Sequence, residues 1–446
     1  MSVELTKEQK TAYSKICKFI DNTKKDAPRW MTIDGKAGVG KTTVLISILL
    51  KYCTKKNIIA GAIAHKAKQV LCDKFKASCR VPYPKVDFYS VASMLGMKLN
   101  EETGEFEYGY AESVPAEDAD IILIDECSMI SGEQMEFILS ISNPRARIIF
   151  SGDIGQLPPI GKKNETIISP TFSTKNIVHL HTRMRQAEES PILPYSDYYW
   201  DSVTGDVDKV STAPVENIVN DHGGIYFSDR ADALSKYADV FKGAVERGDL
   251  DTVKYVCYRN VTRQYMNRML RNHIFNNPTD EYLPGDFVIF MDNYSTDESN
   301  SFKRLDNSSE YIIESAELKR GTCGSIEISY WDINFVGVEY TVPVVAGVSK
   351  TDFDFYIKQS FAKAFSIKEK SERKEALKAV YRIKNSYANI DYSYAITSHK
   401  SQGSTYKCVI VDKSDIMNNN FVDRKTKYRS LYTAITRASK LCTIVV

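Results

Sequence analysis

The stretch MTIDGKAGVGKTTVLISILL, residues 31–50, constrains the fold most, because an apolar strand, a glycine-rich loop and a helix follow one another without a break. Gly35, Gly40, Lys41 and Thr42 fit the spacing G-x-x-x-x-G-K-[ST]. In such a loop the backbone from Gly35 through Ala37, Gly38, Val39 and Gly40 to Thr43 turns its N–H groups toward phosphate oxygens. The positive end of the following helix favours the same negative charge. Lys41 would reach the β- and γ-phosphates, and the Thr42 hydroxyl would hold Mg²⁺, a hard ion that prefers oxygen ligands. A nucleoside triphosphate ligand follows. The competing reading, a glycine-rich turn with a chance lysine, leaves unexplained why strand and helix flank the motif as phosphate binding requires.

A length of 446 residues corresponds to about three domains. Hydrophobic content of 43% and charged content of 26% are those of an ordinary globular protein. Formal net charge is only +2, so a nucleic-acid partner would have to be met by local basic surface. The nine cysteines include no C-x-x-C pair and are odd in number, which fits reduced thiols and neither a disulfide framework nor a zinc cluster. The N-terminus lacks an apolar signal-peptide core, and no apolar run approaches the ~18 residues that span a bilayer. A cytoplasmic monomer with no membrane partner is expected, in a host cytoplasm if the chain is phage-encoded.

Along the chain, residues 6–22 show helical periodicity, with Ala12, Ile16, Phe19 and Ile20 on one side and a capping box formed by Thr6 and Gln9. Apolar strands are predicted within 58–72, 121–129 and 147–153, alternating with helices, so the first unit is a parallel sheet with ligands at its carboxyl ends. Residues 81–115 interrupt that rhythm, and NEETGEFEYGY at 100–110 reads as a hairpin turning near Thr103 and Gly104. A second α/β unit runs over 172–281 and resumes at 387–446. Between them, 282–386 begins with short alternating strands that suggest a small β-barrel and continues, from 352 to 384, as helix. Nine Lys/Arg against three Glu between 358 and 384 give either a solvated helix face or a nucleic-acid contact.

Two further segments carry chemistry. Asp125 and Glu126 follow the strand IILI, which sets both carboxylates beside the phosphate loop. Asp125 would hold Mg²⁺ through its water shell, and Glu126 would orient or deprotonate the attacking water. In SGDIGQLPPIG, at 151–161, Asp153 and Gln156 again end a strand. An amide that both donates and accepts suits Gln156 to sensing the γ-phosphate. A polar turn closed by Pro158 and Pro159 is the alternative.

GKAGVGKT, LIDECSM, SGDIGQLPPI, LHTRMRQA (180–187), AITSHKSQGST (395–405) and SLYTAITRAS (430–439) occur in the order found in superfamily 1 helicases. The chain resembles the RecD-like branch, superfamily 1B, and within it the Dda-type helicases of tailed phages, over nearly its whole length. The resemblance implies two tandem RecA-like α/β domains. Domain 1A comprises 1–80 and 116–171, with a hairpin insertion 1B at 81–115. Domain 2A comprises 172–281 and 387–446, with an SH3-like barrel and helical insertion 2B at 282–386. It further implies that Gln9 reads adenine, unless it is merely an exposed helical glutamine. Arg185 and Arg437 would reach the γ-phosphate from the second domain, where a permanently charged planar fork suits the dispersed charge of phosphoryl transfer. Gln402 and Gly403 match the second domain's contact to the triphosphate.

For DNA, the resemblance places His65 and Lys66 in a backbone-gripping loop. Ala64 stands there in place of a threonine, so one hydroxyl contact is missing. Thr397, Ser398, His399 and Lys400 match the second domain's grip. Ser90 stands near another contact, with helix capping as the competing explanation. Phe106 matches the aromatic pin that separates strands, where a ring can stack on the last base pair; Tyr108 is the alternative, and either could instead pack the hairpin. The function implied is an ATP- and Mg²⁺-dependent DNA helicase moving 5′ to 3′ on single-stranded DNA and opening forked duplex, in replication, recombination or repair. Single-strand-binding or replication proteins are the further partners this admits. A DNA-stimulated ATPase that remodels nucleoprotein complexes without unwinding is the alternative, and a metabolic P-loop kinase a third, weighed down by the paired arginines.

Overall fold

The computed structural model describes residues 4–22, 24, 26–99, 106–108, 114–159, 167–183, 189–205, 216–295 and 304–446. The chain opens on α1 (Lys7–Ile20), whose capping box forms as predicted: Gln9 N–H donates to Thr6 Oγ1 (3.2 Å) and Thr6 N–H to Gln9 Oε1 (3.0 Å). Ala12, Ile16, Phe19 and Ile20 are all buried. Next come β1 (Trp30–Gly35), α2 (Lys41–Tyr52), β2 (Ile58–Ala62), α3 (His65–Ser78), β3 (Val86–Ser90), α4 (Val91–Met94), β4 (Lys98–Leu99) and β5 (Phe106–Glu107). The first unit closes with β6 (Ile121–Asp125), α5 (Gly132–Ile141), β7 (Arg147–Gly152) and β8 (Ile177–Leu180).

Strand order in the first sheet is β3-β2-β6-β7-β1-β8, parallel throughout. Ile121 to Ile124 are each at most 1% exposed, as expected of a strand covered by helices on both faces. Separate apolar clusters fill the two faces, one packing Ile33, Leu45 and Leu49, the other Ile122, Ile124 and Phe150. Strands β4 and β5 pair antiparallel with Leu99 opposite Phe106. Thr103 and Gly104, where the hairpin was expected to turn, lie outside the described residues.

The second unit starts with α6 (Ile192–Thr204), β9 (Ile218–Asn220), β10 (Gly223–Ser228), α7 (Arg230–Arg247), β11 (Val253–Cys257) and α8 (Asn260–Ile274). It is interrupted by β12 (Phe287–Phe290), β13 (Tyr294–Ser295), β14 (Arg304–Leu305), β15 (Glu310–Cys323), β16 (Ile326–Phe335), β17 (Val342–Val345), α9 (Gly347–Ser366), α10 (Lys370–Asn385) and β18 (Ile390–Tyr392). It then resumes with β19 (Ala395–Thr397), β20 (Tyr406–Asp412), α11 (Lys413–Met417), α12 (Arg424–Ile435) and β21 (Ala438–Val445). Its sheet runs β19-β11-β20-β21-β10-β9, parallel except for the edge strand β9.

The interruption differs from expectation in strand length. Its antiparallel sheet, ordered β17-β16-β15-β12-β18, contains 14 residues in β15 and 10 in β16, so two strands expected to be short form one long ribbon. Gly321 did not end β15 because it pairs with Ile328 while the Tyr330 ring covers the space a side chain would fill. The ribbon turns at Gly324, which has φ 60° and leads a two-residue loop. Ala388 N–H donates to the Pro343 carbonyl at 2.8 Å, a bridge between the two ends of the sheet. The helical stretch expected over 352–384 is formed by α9 and α10. No described helix is long and apolar enough to cross a membrane.

A candidate nucleotide and nucleic-acid site between the two sheets

The phosphate loop joins β1 to α2. Gly38 (φ 85°) and Gly40 (φ 82°) occupy the left-handed region, and a Cβ at Gly40 would overlap the Gln9 amide nitrogen. Lys41 is 8% exposed, with Nζ donating to the carbonyls of Gly35 (2.6 Å) and Lys36 (3.1 Å), so its charge is held at the loop. Thr42 Oγ1 donates to Asp125 Oδ2 at 3.1 Å. The other carboxylate oxygen accepts from Ser151 Oγ (2.8 Å) and the Glu126 N–H (3.0 Å). Two hard oxygen donors, one of them oriented by two neighbours, suit a divalent cation such as Mg²⁺.

Glu126 has φ 54°, a left-handed backbone that costs a non-glycine residue energy and recurs at functional sites. Its Oε2 is shielded from solvent and has no hydrogen-bond partner. Burial, then the neighbouring Asp125 carboxylate, push the Glu126 carboxyl above the usual range, while Arg437 and Lys41 pull it down. Arg437 lies between α12 and β21 of the second unit, so that unit's charge reaches Glu126.

Two amides, Gln156 after β7 of the first sheet and Gln402 of the second unit, have unspent hydrogen-bonding capacity. Gln156 Oε1 is buried without a partner, as are both Gln402 Oε1 and Nε2. A buried amide left unpaired is costly, and a ligand that donates and accepts would relieve it. Arg437, 2% exposed, is fixed by the Thr433 carbonyl (3.0 Å), the Ser404 carbonyl (3.2 Å) and Thr436 Oγ1 (3.1 Å). Gln9 is 3% exposed, so the exposed-helix reading is wrong: its Nε2 donates to the Val39 carbonyl at 3.1 Å. Arg185 lies outside the described residues.

The residues matched to DNA contacts are brought together in part. His65 and Lys66 open α3, and Ala64 at its N-cap supplies no side-chain hydrogen bond, as its lack of a hydroxyl dictates. Both basic residues face carboxylates of the insertion. His65 Nδ1 lies 3.0 Å from Asp306 Oδ2, which Lys68 also approaches at 2.7 Å. Lys66 pairs with Glu310 at 2.8 Å, and Glu310 is shared with the fully buried Lys254. Burial pushes the Glu310 carboxyl up, but Lys254 and Lys66 outweigh it and hold it at about 2. Asp306 is likewise held below the carboxylate range, by His65 and Lys68 against burial.

Ser90 caps α4, its Oγ accepting from Ser93 N–H at 3.2 Å. Thr397 ends β19; Ser398 Oγ accepts from Ser430 Oγ at 2.8 Å. The His399 ring meets Tyr258 edge-on at 5.4 Å, and burial lowers the basicity of both His399 and Lys400. Phe106 lies in β5. Tyr108 is committed elsewhere, 5.0 Å from the Phe137 ring with its hydroxyl accepting from Gln134 Nε2 at 3.0 Å, so it packs the hairpin onto α5.

Two tandem parallel sheets with a phosphate loop at the end of one and a buried arginine from the other narrow the family sharply. Residues 4–196 match the AAA domain family, and residues 392–445 match UvrD-like helicase C-terminal domains. The chain is 23% identical over 463 residues to the ATP-dependent DNA helicase dda of Enterobacteria phage T4, covering 97% of each chain. These matches make the chain similar to ATP-dependent DNA helicases of superfamily 1B. An uncharacterised protein of Acanthamoeba polyphaga mimivirus is 27% identical over 493 residues, with 98% of each covered. Among solved structures, two coordinating Pif1 helicases at forked double-stranded DNA give a TM-score of 0.55 at 15% identity, covering 99% of this chain and 92% of that one. A Bacteroides Pif1 helicase in complex with ADP-AlF3 and single-stranded DNA gives 0.53 at 15% identity and the same coverage. These structural likenesses concern the fold.

Several residues that join the two units are not singled out by the motifs quoted above. Tyr432 and Arg429, on α12, and Trp200, on α6, bond the loop at 153–156: Tyr432 donates to Asp153 Oδ2 (2.6 Å), Trp200 Nε1 to Asp153 Oδ1 (3.0 Å), and Arg429 to the Ile154 and Gln156 carbonyls. Tyr432 stands in the motif SLYTAITRAS, which could have flagged it. Asp306, Glu310 and Lys254 carry no local signal, since their partners lie far away in sequence.

Proposed function

We propose that this helicase couples ATP hydrolysis to 5′ to 3′ movement on single-stranded DNA and separates duplex at a fork. The observation that carries this reading is a set of buried side-chain atoms without hydrogen-bond partners, Gln156 Oε1 and both polar atoms of Gln402, together with Arg437 of the second unit, whose charge reaches Glu126 near Lys41 of the phosphate loop. In it, the loop from Gly35 to Thr43 cradles the triphosphate, Gln9 reads the base, and Gln402 and Gly403 approach from the second domain. Thr42 and Asp125 hold Mg²⁺, which when bound neutralises phosphate charge. Glu126 activates the attacking water, and Arg185 and Arg437 stabilise the charge that spreads in the transition state. Opening and closing of the cleft then alternates two grips on the strand, His65 and Lys66 with Ser90 on one side, Thr397 to Lys400 on the other. Phe106 is the wedge at the fork, and the inserted sheet at 282–386, read as a barrel, backs it. Replication, recombination and repair are the roles this activity serves.

The test uses duplexes bearing a single-stranded tail on one side. Unwinding from a 5′ tail and not from a 3′ tail is expected. Unwinding from a 3′ tail alone contradicts the polarity, and DNA-stimulated hydrolysis with no unwinding of either substrate selects the remodelling ATPase instead.

A further inference from the structure

Tyr432 makes a polar contact between the two α/β units that the motifs leave without a task. It is fully buried, with its ring in the apolar cluster that includes Leu431 and Tyr406, and Ala37 of the phosphate loop packs against that cluster. A phenol has one proton to give and a lone pair to offer. Here the first unit takes both: Tyr432 Oη accepts from the Ala37 N–H at 2.9 Å and donates to Asp153 Oδ2 at 2.6 Å. One hydroxyl therefore joins the phosphate loop to the loop that follows β7.

The surrounding contacts support it. Asp153 Oδ1 accepts from Trp200 Nε1, and a Cβ at Gly155 would overlap the Trp200 ring, so glycine lets the indole close on that loop. Lys36, next to Ala37, sits 4.3 Å from the Trp200 ring centroid and 2.5 Å from Asp197. Helices α6 and α12 thus clasp residues 36–37 and 153–156 together.

We infer that Tyr432 is a positioning residue through which the second domain follows the phosphate loop and sets Arg437. Tyr432 and Arg437 are five residues apart, one inside α12 and one just past its C-cap at Thr436, so they move as one piece. Separating the units strands three polar groups at once: the buried hydroxyl, a buried Asp153 oxygen and the half-buried Ala37 amide. Such groups are costly to leave unpaired, and hydrogen bonds to charged acceptors are the stronger ones. A shift of the Ala37 amide as phosphate enters or leaves must then be matched by α12. This inference rests on the ATPase reading of the site.

Tyr432→Phe keeps the ring and removes the hydroxyl. With single-stranded DNA present, kcat for ATP hydrolysis is expected to fall about tenfold while KM for ATP and the affinity for DNA stay within about twofold. Trp200→Phe, which removes the second bond to Asp153 and keeps an aromatic ring, is expected to lower kcat in the same way and serves if Tyr432→Phe does not fold. Wild-type kcat in a folded variant overturns the inference. So does a fall in kcat matched by equal losses in DNA affinity and melting temperature, the pattern of a merely structural residue. A wild-type chain that does not hydrolyse ATP faster on DNA contradicts the ATPase reading itself, and the inference falls with it.

Discussion

Gly403 and Ala67 meet across the cleft so closely that a Cβ built on Gly403 would lie 2.8 Å from the Ala67 Cβ and 3.2 Å from its backbone nitrogen. Gly403 also has φ 76°, a conformation that L side chains rarely adopt. This approach of the two units therefore depends on a residue without a side chain.

Gly403→Ala should hold the cleft apart while leaving each sheet intact. DNA-stimulated kcat is expected to fall at least tenfold, with a melting temperature close to wild type, because the strain of roughly 1–2 kcal/mol is felt where the units meet. Steady-state ATPase assays and thermal melting check both halves of the statement.

Asp306 holds His65, with Lys68 beside it, so a carboxylate occupies a position where the DNA-grip proposal puts a phosphate oxygen against His65. Asp306→Asn removes that competing charge. Affinity for single-stranded DNA is expected to rise by about three- to tenfold at fixed salt. Fluorescence anisotropy with a labelled oligonucleotide measures it, and an unchanged or weaker affinity would remove His65 from the DNA path.

Glu126 supplies a pH dependence with a definite sign. Its folded carboxyl titrates above the ordinary glutamate value of about 4.3, through burial and Asp125. As the base it must be ionised, so the acid limb of kcat should lie above that value. In stability the neutral form is favoured by the fold, so its contribution is complete below the ordinary value and is lost as pH rises through the raised one. Glu126→Gln is expected to cost about 100-fold in turnover and yet raise the melting temperature at neutral pH, with the gain fading in acid. Turnover and melting followed across pH decide both.

Legibility divided along the range of the interactions. Strands β1, β2, β6 and β7 of the first sheet were readable because they are continuous apolar runs bounded by polar residues, and the Thr6–Gln9 cap because it spans one helical turn. Strands β3 and β8 join the same sheet from stretches assigned to insertion 1B at 81–115 and to domain 2A from 172 onward, so both boundaries move. Gln402, Gly403 and Arg437 were proposed through motif order, and nothing local shows that Gly403 abuts Ala67. The sequence suggests only short strands where β15 and β16 form a long ribbon, because cross-strand pairing carries β15 through Gly321. The pairing of Lys66 with Glu310 joins residues 244 positions apart, and no spacing rule reaches that far.

In the proposed mechanism the nucleotide site is completed only when the second unit brings Arg437 to the phosphate loop. Single-turnover hydrolysis of ATP by Arg437→Lys on single-stranded DNA tests it most directly, since lysine keeps the charge and loses the planar fork. Nucleotide affinity within about threefold of wild type and a hydrolysis rate lowered about 100-fold or more are predicted. Hydrolysis at the wild-type rate would contradict the account.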